Sequence, residues 1–218
     1  MVARYASPVL VDAGSGNAYL PFVLYELFFR DRETGEIVCL EAREELTQRS
    51  RERAERLGYR RMRFVSAALE DTSRWPERVH LLTALHACDT ATDDALAGGI
   101  RCNADHLAVV PCCQAEVAQQ LKERRAEISP SVQPLFAHAW HRREFGSHLT
   151  NVIRALVLES RGYQVTVTEL TGWEHSLKNE LILGRRVHRE NRDAQKRLEA
   201  LLAETKVSPK LVRTLAQV

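Results

Sequence analysis

Short apolar segments alternate along the chain with longer segments in which apolar and charged residues recur every three or four positions. The short segments are typical of buried strands, and we predict seven, at residues 8–12, 36–40, 61–66, 79–87, 105–111, 163–170 and 179–187. The longer segments predict six helices, at residues 17–29, 43–57, 90–97, 114–127, 148–161 and 190–204. Asn17 is expected to cap the first helix, while Gly58 and the pair Gly98 and Gly99 are expected to end the second and third.

The order of these elements indicates the fold class. Strands that alternate with helices form βαβ units, so most of the sheet should be parallel. The segment 79–85 is apolar at nearly every position, as expected for a strand covered by helices on both faces. The last two strands are joined by a short loop and should pair as an antiparallel hairpin. We therefore expect an α/β fold with one seven-stranded, mostly parallel sheet.

Chain length favours one domain. The 218 residues are slightly more than an average domain contains, so we expect a single domain over residues 1–218. Residues 128–148 interrupt the pattern with prolines, histidines and arginines, and we interpret them as an inserted loop or short helix on the substrate side. Residues 190–218 are interpreted as a C-terminal helical tail.

Composition is that of an ordinary globular protein. Apolar residues make up 44% and charged residues 28%, and the net charge of +2 is too small to indicate a nucleic-acid or membrane partner by itself. No apolar run approaches the ~20 residues of a membrane-spanning helix, and the N-terminus lacks the apolar core of a signal peptide. We therefore expect no membrane contact and a cytoplasmic location. Five cysteines, an odd number, favour reduced thiols over a disulfide framework.

A glycine turn follows the first predicted strand. Asp12, Gly14, Gly16 and Ala18 form the pattern Asp-x-Gly-x-Gly-x-small, whereas the common dinucleotide pattern G-x-G-x-x-G fails at Tyr19. Glycines at such a turn let the backbone approach a ligand closely. The string resembles the first motif of class I S-adenosylmethionine-dependent methyltransferases. The resemblance extends over residues 8 to 188 and implies a Rossmann-like methyltransferase sheet with helices on both faces.

The resemblance also implies where the cofactor binds. Glu41 ends the second predicted strand, 25 residues after Gly16, where an acidic side chain accepts hydrogen bonds from the ribose hydroxyls. The alternative is that Glu41 merely starts the following helix. The segment 66–71 is placed beside the adenine, with Glu70 or Asp71 near its exocyclic amine. The cofactor-binding residues implied in this way are Asp12, Gly14, Gly16, Asn17, Glu41, Ala68, Leu69 and Leu85.

A second pair of motifs lies at the ends of the fourth and fifth predicted strands. The first is L-H-x-C-x-x-x-T-D and the second is C-C-[HYQ], and this chain carries them as Leu85, His86, Cys88, Thr92, Asp93, Cys112, Cys113 and Gln114. The combination resembles a methyltransferase subgroup that includes tRNA 2′-O-methyltransferases and the glutathione S-transferase C-terminal domain-containing protein. Gln114 stands where the tRNA enzymes have histidine. Adjacent parallel strands would bring both motifs to one edge of the sheet, where α/β proteins bind ligands.

Three interpretations of this cluster stay open. In the first, His86, Cys112 and Cys113 line the acceptor pocket, and His86 acts as a general base because its ordinary pKa lies near neutrality. In the second, these residues and Cys88 bind zinc, although adjacent cysteines rarely direct both thiolates to one ion. In the third, the cysteines are small buried apolar residues. The first is favoured for His86 and no metal is expected.

Candidate substrate contacts lie in the insertion and near the last strand. The insertion places aromatic side chains among cations, which suits base stacking and phosphate contact in RNA, although an ordinary solvated loop would have the same composition. A Lys-Asn pair before the last strand also resembles the subgroup, or simply forms a turn. The substrate-binding candidates are Trp140, Arg142, Arg143, Lys178 and Asn179.

These observations predict an S-adenosylmethionine-dependent methyltransferase whose acceptor is RNA. The alternatives are a methyltransferase acting on a protein or small molecule, and a cofactor-binding module without catalysis. A nicotinamide-dependent reductase is disfavoured because the dinucleotide glycine pattern fails.

Overall fold

A computed structural model describes residues 4–85, 87–112, 114–170 and 179–217. Seven strands form one sheet, in the order β3-β2-β1-β4-β5-β7-β6. The strands are β1 (Val9–Ala13), β2 (Glu36–Glu41), β3 (Met62–Ser66), β4 (Leu81–Leu85), β5 (His106–Val110), β6 (Tyr163–Glu169) and β7 (Glu180–Arg186). All seven predicted strands are thereby confirmed.

Helices follow β1, β2, β4, β5 and β7. In the described part of the chain they are α1 (Tyr19–Phe28), α2 (Glu44–Leu57), α3 (Thr90–Arg101), α4 (Glu116–Glu123), α5 (Ala139–Ser160), α6 (Arg192–Thr205) and α7 (Lys210–Leu215). Short 3₁₀ helices occur at Thr72–Arg74, Arg125–Glu127 and Gln133–Phe136. None of the described helices is both long and apolar enough to cross a membrane.

Strand β1 is an interior strand of the sheet and pairs in parallel with both β2 and β4. Asp12 is the register partner of Cys39 on β2 and of Thr83 on β4. Chain order runs outward in opposite directions from this point, so the carboxyl ends of β1 and β4 flank the topological switch point at which open α/β sheets bind ligands. Strands β5 and β6 both pair antiparallel with β7, as the hairpin prediction requires.

Alternating side chains on the strands form two cores, one on each face of the sheet. Leu10 and Ile37 pack with Tyr25 of α1 and Ala54 of α2. Val11 belongs to the larger opposite core, which includes side chains from α3 to α7: Leu96, Val117, Ile153, Leu198 and Leu211. Helices therefore cover both faces, and the structure is the predicted Rossmann-like methyltransferase fold.

Helix α3 differs from its prediction because two glycines serve packing. Gly98 and Gly99 were expected to end the helix, but α3 continues to Arg101. A Cβ atom on Gly98 would lie 2.4 Å from the ring of Trp75, and one on Gly99 would lie 2.6 Å from Leu82. The glycines thus let the helix lie directly against the indole ring and the sheet.

Helix boundaries also differ elsewhere, and α4, which was predicted to run to residue 127, ends at Glu123. The prediction that Asn17 caps α1 was wrong, since the N-cap is Ala18 with φ 56°. Helix α5 begins at Ala139, within the segment that was interpreted as an insertion, instead of at residue 148. Helix α7, at the end of the tail, was not predicted as a separate helix and is anchored by the buried side chains of Leu211 and Leu215.

Candidate active site

The turn after β1 has the backbone shape that its glycines allow. Gly14 and Gly16 have φ values of 72° and 54°, in the left-handed region that favours glycine, and Ala18 follows at 56°. The Gly14 amide donates to the Leu40 carbonyl at 2.9 Å, which ties the turn to β2. A Cβ atom on Gly14 would meet Ala87 only at 3.7 Å, and one on Gly16 would meet nothing closer than 4.0 Å. The turn is therefore open on the side that a ligand would approach.

Glu41, at the end of β2, faces this turn. Its side chain is buried, and Oε2 accepts a hydrogen bond from the Gly16 amide at 2.8 Å. Oε1 accepts from the backbone amide and Nε of Arg43, at 3.0 and 2.8 Å. Burial raises the pKa of the Glu41 carboxyl, but the bonds from Arg43 and Gly16 outweigh it and the pKa is lowered. The site thus holds an ionised carboxylate directly beneath the glycine turn.

Asp12 lies on β1 just before the turn and is almost fully buried. Its Oδ1 accepts a hydrogen bond of 2.6 Å from the Thr83 hydroxyl, which joins β1 to β4 at the switch point. Burial raises the pKa of Asp12 to about 7, although the Thr83 bond opposes the shift. The carboxyl group therefore titrates near neutral pH.

Asn17, also predicted at the cofactor site, is exposed beside the turn, and its carbonyl accepts from Arg53 at 3.2 Å.

The segment after β3 continues the same edge of the sheet. Ala68 is exposed and Leu69 is buried, and the Leu69 carbonyl accepts from the indole of Trp75 at 3.2 Å. Glu70 forms a 2.9 Å ion pair with Lys210 of α7, whereas Asp71 accepts from the backbone amide of Ser73 at 3.2 Å. Both acidic side chains that were candidates to contact the adenine amine thus have partners within the chain. Leu85 is 37% exposed at the end of β4, facing solvent despite its apolar side chain.

The ends of β4 and β5 meet as predicted, since Leu85 is the register partner of Val110. We call this region, with Cys88, Asp89, Cys112 and Gln114, the β4–β5 edge. Cys88 is exposed, Cys112 is buried, and their sulfur atoms lie 3.1 Å apart. His86 and Cys113 fall outside the described residues. Within the described ranges, no three His, Cys, Asp or Glu side chains are grouped so that they could hold a metal ion.

Polar side chains of α5 form hydrogen bonds with residues of this edge. Gln114 Oε1 accepts from the Ser147 hydroxyl at 2.7 Å, and Gln114 Nε2 donates to Asn151 at 3.4 Å. Asp93, the last residue of the L-H-x-C-x-x-x-T-D motif, forms a buried 2.7 Å ion pair with Arg154. Arg154 was not predicted as a site residue, because its partner lies 61 residues away and an arginine in an amphipathic helix normally faces solvent.

A groove of about 530 Å³ runs from the β4–β5 edge between α4 and the start of α5. It is lined by Asp89, Ala115, Glu116, Ala118, Gln119, Ala139, Arg142 and Arg143. Trp140 is 62% exposed, and the guanidinium of Arg143 lies 4.3 Å from the centre of its ring, while Arg143 Nε also contacts Glu144 at 3.0 Å.

Of the Lys-Asn pair, Asn179 is buried with its carbonyl accepting from the Leu170 amide at 2.8 Å, and Lys178 falls outside the described residues.

Solved structures with the same architecture include several methyltransferases. An rRNA methylase from Streptococcus thermophilus aligns with a TM-score of 0.51 at 10% identity, over 84% of this chain and 89% of its own. A SAM-dependent methyltransferase from Aquifex aeolicus aligns with a TM-score of 0.51 at 17% identity, over 84% of this chain and 85% of its own. A Streptococcus mutans protein assigned as a methyltransferase was solved in complex with SAH. It aligns with a TM-score of 0.53 at 11% identity, over 85% of this chain and 93% of its own. At these identities the similarity shows a shared fold.

Sequence comparison gives the family. No curated protein matches the chain significantly. The family model described as a methyltransferase domain matches residues 1–120, which contain the glycine turn, Glu41 and the β4–β5 edge. The match covers more than half of the 218 residues. The chain therefore belongs to this family of methyltransferase domains.

Proposed function

We propose that this methyltransferase transfers the methyl group of S-adenosylmethionine to an RNA acceptor. The observation that carries the cofactor assignment is the glycine turn at the switch point, open toward a ligand, with the ionised Glu41 carboxylate beneath it. Anionic and amide groups at this point of an α/β sheet suit the hydroxyl-bearing ribose and the charged end of a nucleoside cofactor. The similar fold of the Streptococcus mutans protein solved with SAH supports the same assignment.

The residues present fit this cofactor. Gly14 and Gly16 would lie against it, and Glu41 would accept from the ribose once the exposed Arg43 side chain moves away from Oε1. Ala68, Leu69 and Leu85 would supply apolar contacts around the adenine, while Asp12 and Asn17 would flank the turn. When bound, the cofactor supplies a methyl group made electrophilic by the positive charge on its sulfur. The chain's part is to orient the acceptor and to handle its proton.

The acceptor side of the reaction is assigned to the β4–β5 edge. His86 would remove the proton of an oxygen or amine nucleophile, because an imidazole is the side chain whose pKa suits this at neutral pH. Cys112 and Cys113 would line the pocket. Lys178 and Asn179, which precede β7, would approach the acceptor from the neighbouring strand. The motif around Cys88 resembles a subgroup with tRNA-modifying members, and this supports an RNA acceptor.

The groove between α4 and α5 also favours RNA. Arg142, Arg143 and Asp89 of the β4–β5 edge line the groove. The exposed ring of Trp140 lies against Arg143. Guanidinium groups bind phosphates, and exposed aromatic rings stack on unpaired bases. The similar fold of an rRNA methylase is consistent with this acceptor.

A methyl-transfer assay with labelled cofactor tests the acceptor. Purified protein is incubated separately with total RNA, total protein and a metabolite extract, and we expect label in the RNA alone. Transfer to protein or to metabolites would contradict the RNA assignment and leave the methyltransferase assignment intact. No transfer to any pool, with S-adenosylhomocysteine bound, would favour a cofactor-binding module.

Two variants separate turnover from substrate capture. His86→Ala should lower kcat by about 10²–10⁴-fold with cofactor affinity within about threefold. Arg142→Ala with Arg143→Ala should weaken RNA binding, with a smaller loss at high salt because each lost phosphate contact lowers the salt slope by about one.

Arg189→Ala with Arg192→Ala is the charge-matched control, since both residues follow β7 at the opposite edge of the sheet. Equal RNA binding by the two double variants at every salt concentration would contradict the role of the groove.

A further inference from the structure

Arg154 is the largest fully buried side chain among the described residues, and every nitrogen of its guanidinium has a partner. From α5, Nε donates to Asp93 of α3 at 2.7 Å, and Nη1 donates to Asn151 at 3.1 Å. Nη2 donates to the backbone carbonyl of Asp89 at 2.8 Å. The third bond reaches the β4–β5 edge itself, because Asp89 immediately follows Cys88.

Asp89 has a backbone conformation that an aspartate does not hold unaided. Its φ is 48° and its ψ is −118°, outside the regions that L residues prefer. Such conformations are energetically unfavourable and persist where surrounding contacts enforce them, often at functional sites. Here the contacts are the Arg154 bond to the carbonyl and the side-chain Oδ1, which accepts from the Ala115 amide at 3.0 Å before α4. The turn after β4 is therefore held in shape from two sides.

The same side chains of α5 reach two more strand ends. Asn151 donates to Glu180, the first residue of β7, at 2.9 Å, and accepts from Gln114 after β5 at 3.4 Å. One connected set of buried and partly buried polar groups thus links the ends of β4 and β5 and the start of β7. These are the strand ends between which an acceptor would enter, given the proposed function.

We infer that Arg154 is a positioning residue for methyl transfer, a role that rests on the proposed function. Through its bond to the Asp89 carbonyl it holds the turn after β4 in the strained shape that presents the β4–β5 edge to the acceptor. A buried ion pair such as Arg154 with Asp93 adds little net stability compared with apolar residues of similar size. Stability alone therefore does not explain why this position holds an arginine, whereas the bond to a strained backbone carbonyl does.

The test replaces the ion pair without leaving a buried charge. Asp93→Leu with Arg154→Met fills the same space with apolar side chains and removes the bond to Asp89. Arg154→Lys is the second variant, because an ammonium group keeps the charge opposite Asp93 but cannot reach all three acceptors. The control is Glu159→Leu with Arg197→Met, which removes another α5 ion pair, of 2.7 Å, that joins α6 instead of the edge.

Two readouts are taken on each folded variant. The first is kcat and KM on whichever pool the wild-type protein methylates, with S-adenosylhomocysteine affinity measured alongside. The second, which needs no acceptor, is amide hydrogen exchange at Thr92 and Ala115, whose N–H groups bond to the Asp89 carbonyl and carboxylate.

We expect a kcat at least tenfold lower in both Arg154 variants, cofactor affinity within threefold of wild type, and exchange at least tenfold faster at both amides. The control should behave like wild type in every readout. A folded Arg154 variant with wild-type kcat, or with unchanged exchange, would overturn the inference, as would failure of both Arg154 variants to fold. If the wild-type protein methylates no pool, the proposed function fails, and exchange alone decides whether Arg154 holds the turn.

Discussion

Replacing Asp12 by asparagine should remove a loss of stability that the wild-type protein suffers as pH rises. The folded state holds the Asp12 pKa at about 7, against 3.8 for an ordinary aspartate, because burial disfavours the charged form. Between these two values the folded chain keeps a proton that the unfolded chain has released. The free energy of unfolding therefore falls as pH rises through this window and is constant with respect to this group above it.

The size of the effect follows from the shift. A difference of about three pKa units corresponds to about 4 kcal/mol, at about 1.4 kcal/mol per unit. Asparagine keeps an oxygen that can accept from the Thr83 hydroxyl but cannot ionise. The stability of Asp12→Asn minus that of wild type should therefore rise by about 4 kcal/mol between pH 4 and pH 8.

Urea unfolding at closely spaced pH values, extrapolated linearly to water, measures this difference. Thr83→Val serves as the companion variant, since losing the bond that lowers the Asp12 pKa should extend the fall in stability to higher pH. A stability difference between Asp12→Asn and wild type that stays constant from pH 4 to pH 8 would show that burial does not raise the Asp12 pKa.

Three further predictions concern the cofactor, the packing and the metal content. Glu41→Ala should weaken S-adenosylmethionine binding by about 1–3 kcal/mol in calorimetry, whereas Glu41→Gln, which keeps an acceptor for the Gly16 amide, should lose less. Gly98→Ala should destabilise the chain by about 1–3 kcal/mol in urea unfolding, because the new Cβ meets Trp75 at 2.4 Å. A stabilised variant would show that the higher helix propensity of alanine outweighs this clash. Elemental analysis of protein purified without added metal should find well below one zinc per chain, and a stoichiometric value lost on changing Cys112 would favour the zinc interpretation.

The fold was predictable because its signals are local. Apolar runs such as 79–85 and the glycine turn at Gly14 depend only on neighbouring residues, and the mostly parallel sheet with its C-terminal hairpin follows from the rules for βαβ units and from the resemblance. The prediction for Gly98 and Gly99 was wrong for a different reason. Glycine usually marks the end of a helix, but here it permits contact with Trp75, which is far away in the sequence.

The candidate site was predictable only in part, because several of its contacts join residues that lie far apart in the sequence. The expected meeting of the β4 and β5 ends is confirmed by the strand register, and Cys88 lies against Cys112. The internal pairing of Glu70 with Lys210 could not be anticipated, because it depends on how α7 packs against the loop after β3. The roles of the site residues stay predictions, and the variants above test them.

The claim on which the other assignments depend is that the glycine turn binds S-adenosylmethionine, and calorimetry with S-adenosylhomocysteine measures this. Wild-type protein should bind S-adenosylhomocysteine but not NADH, and Gly14→Val should abolish binding, because valine cannot follow a φ of 72° and its side chain would enter the ligand's path. Gly58→Val is the matched control, with a φ of 71° and open space around the added Cβ at the far end of α2, and it should bind normally. Binding of NADH in place of S-adenosylhomocysteine, or unchanged affinity in Gly14→Val, would contradict the claim.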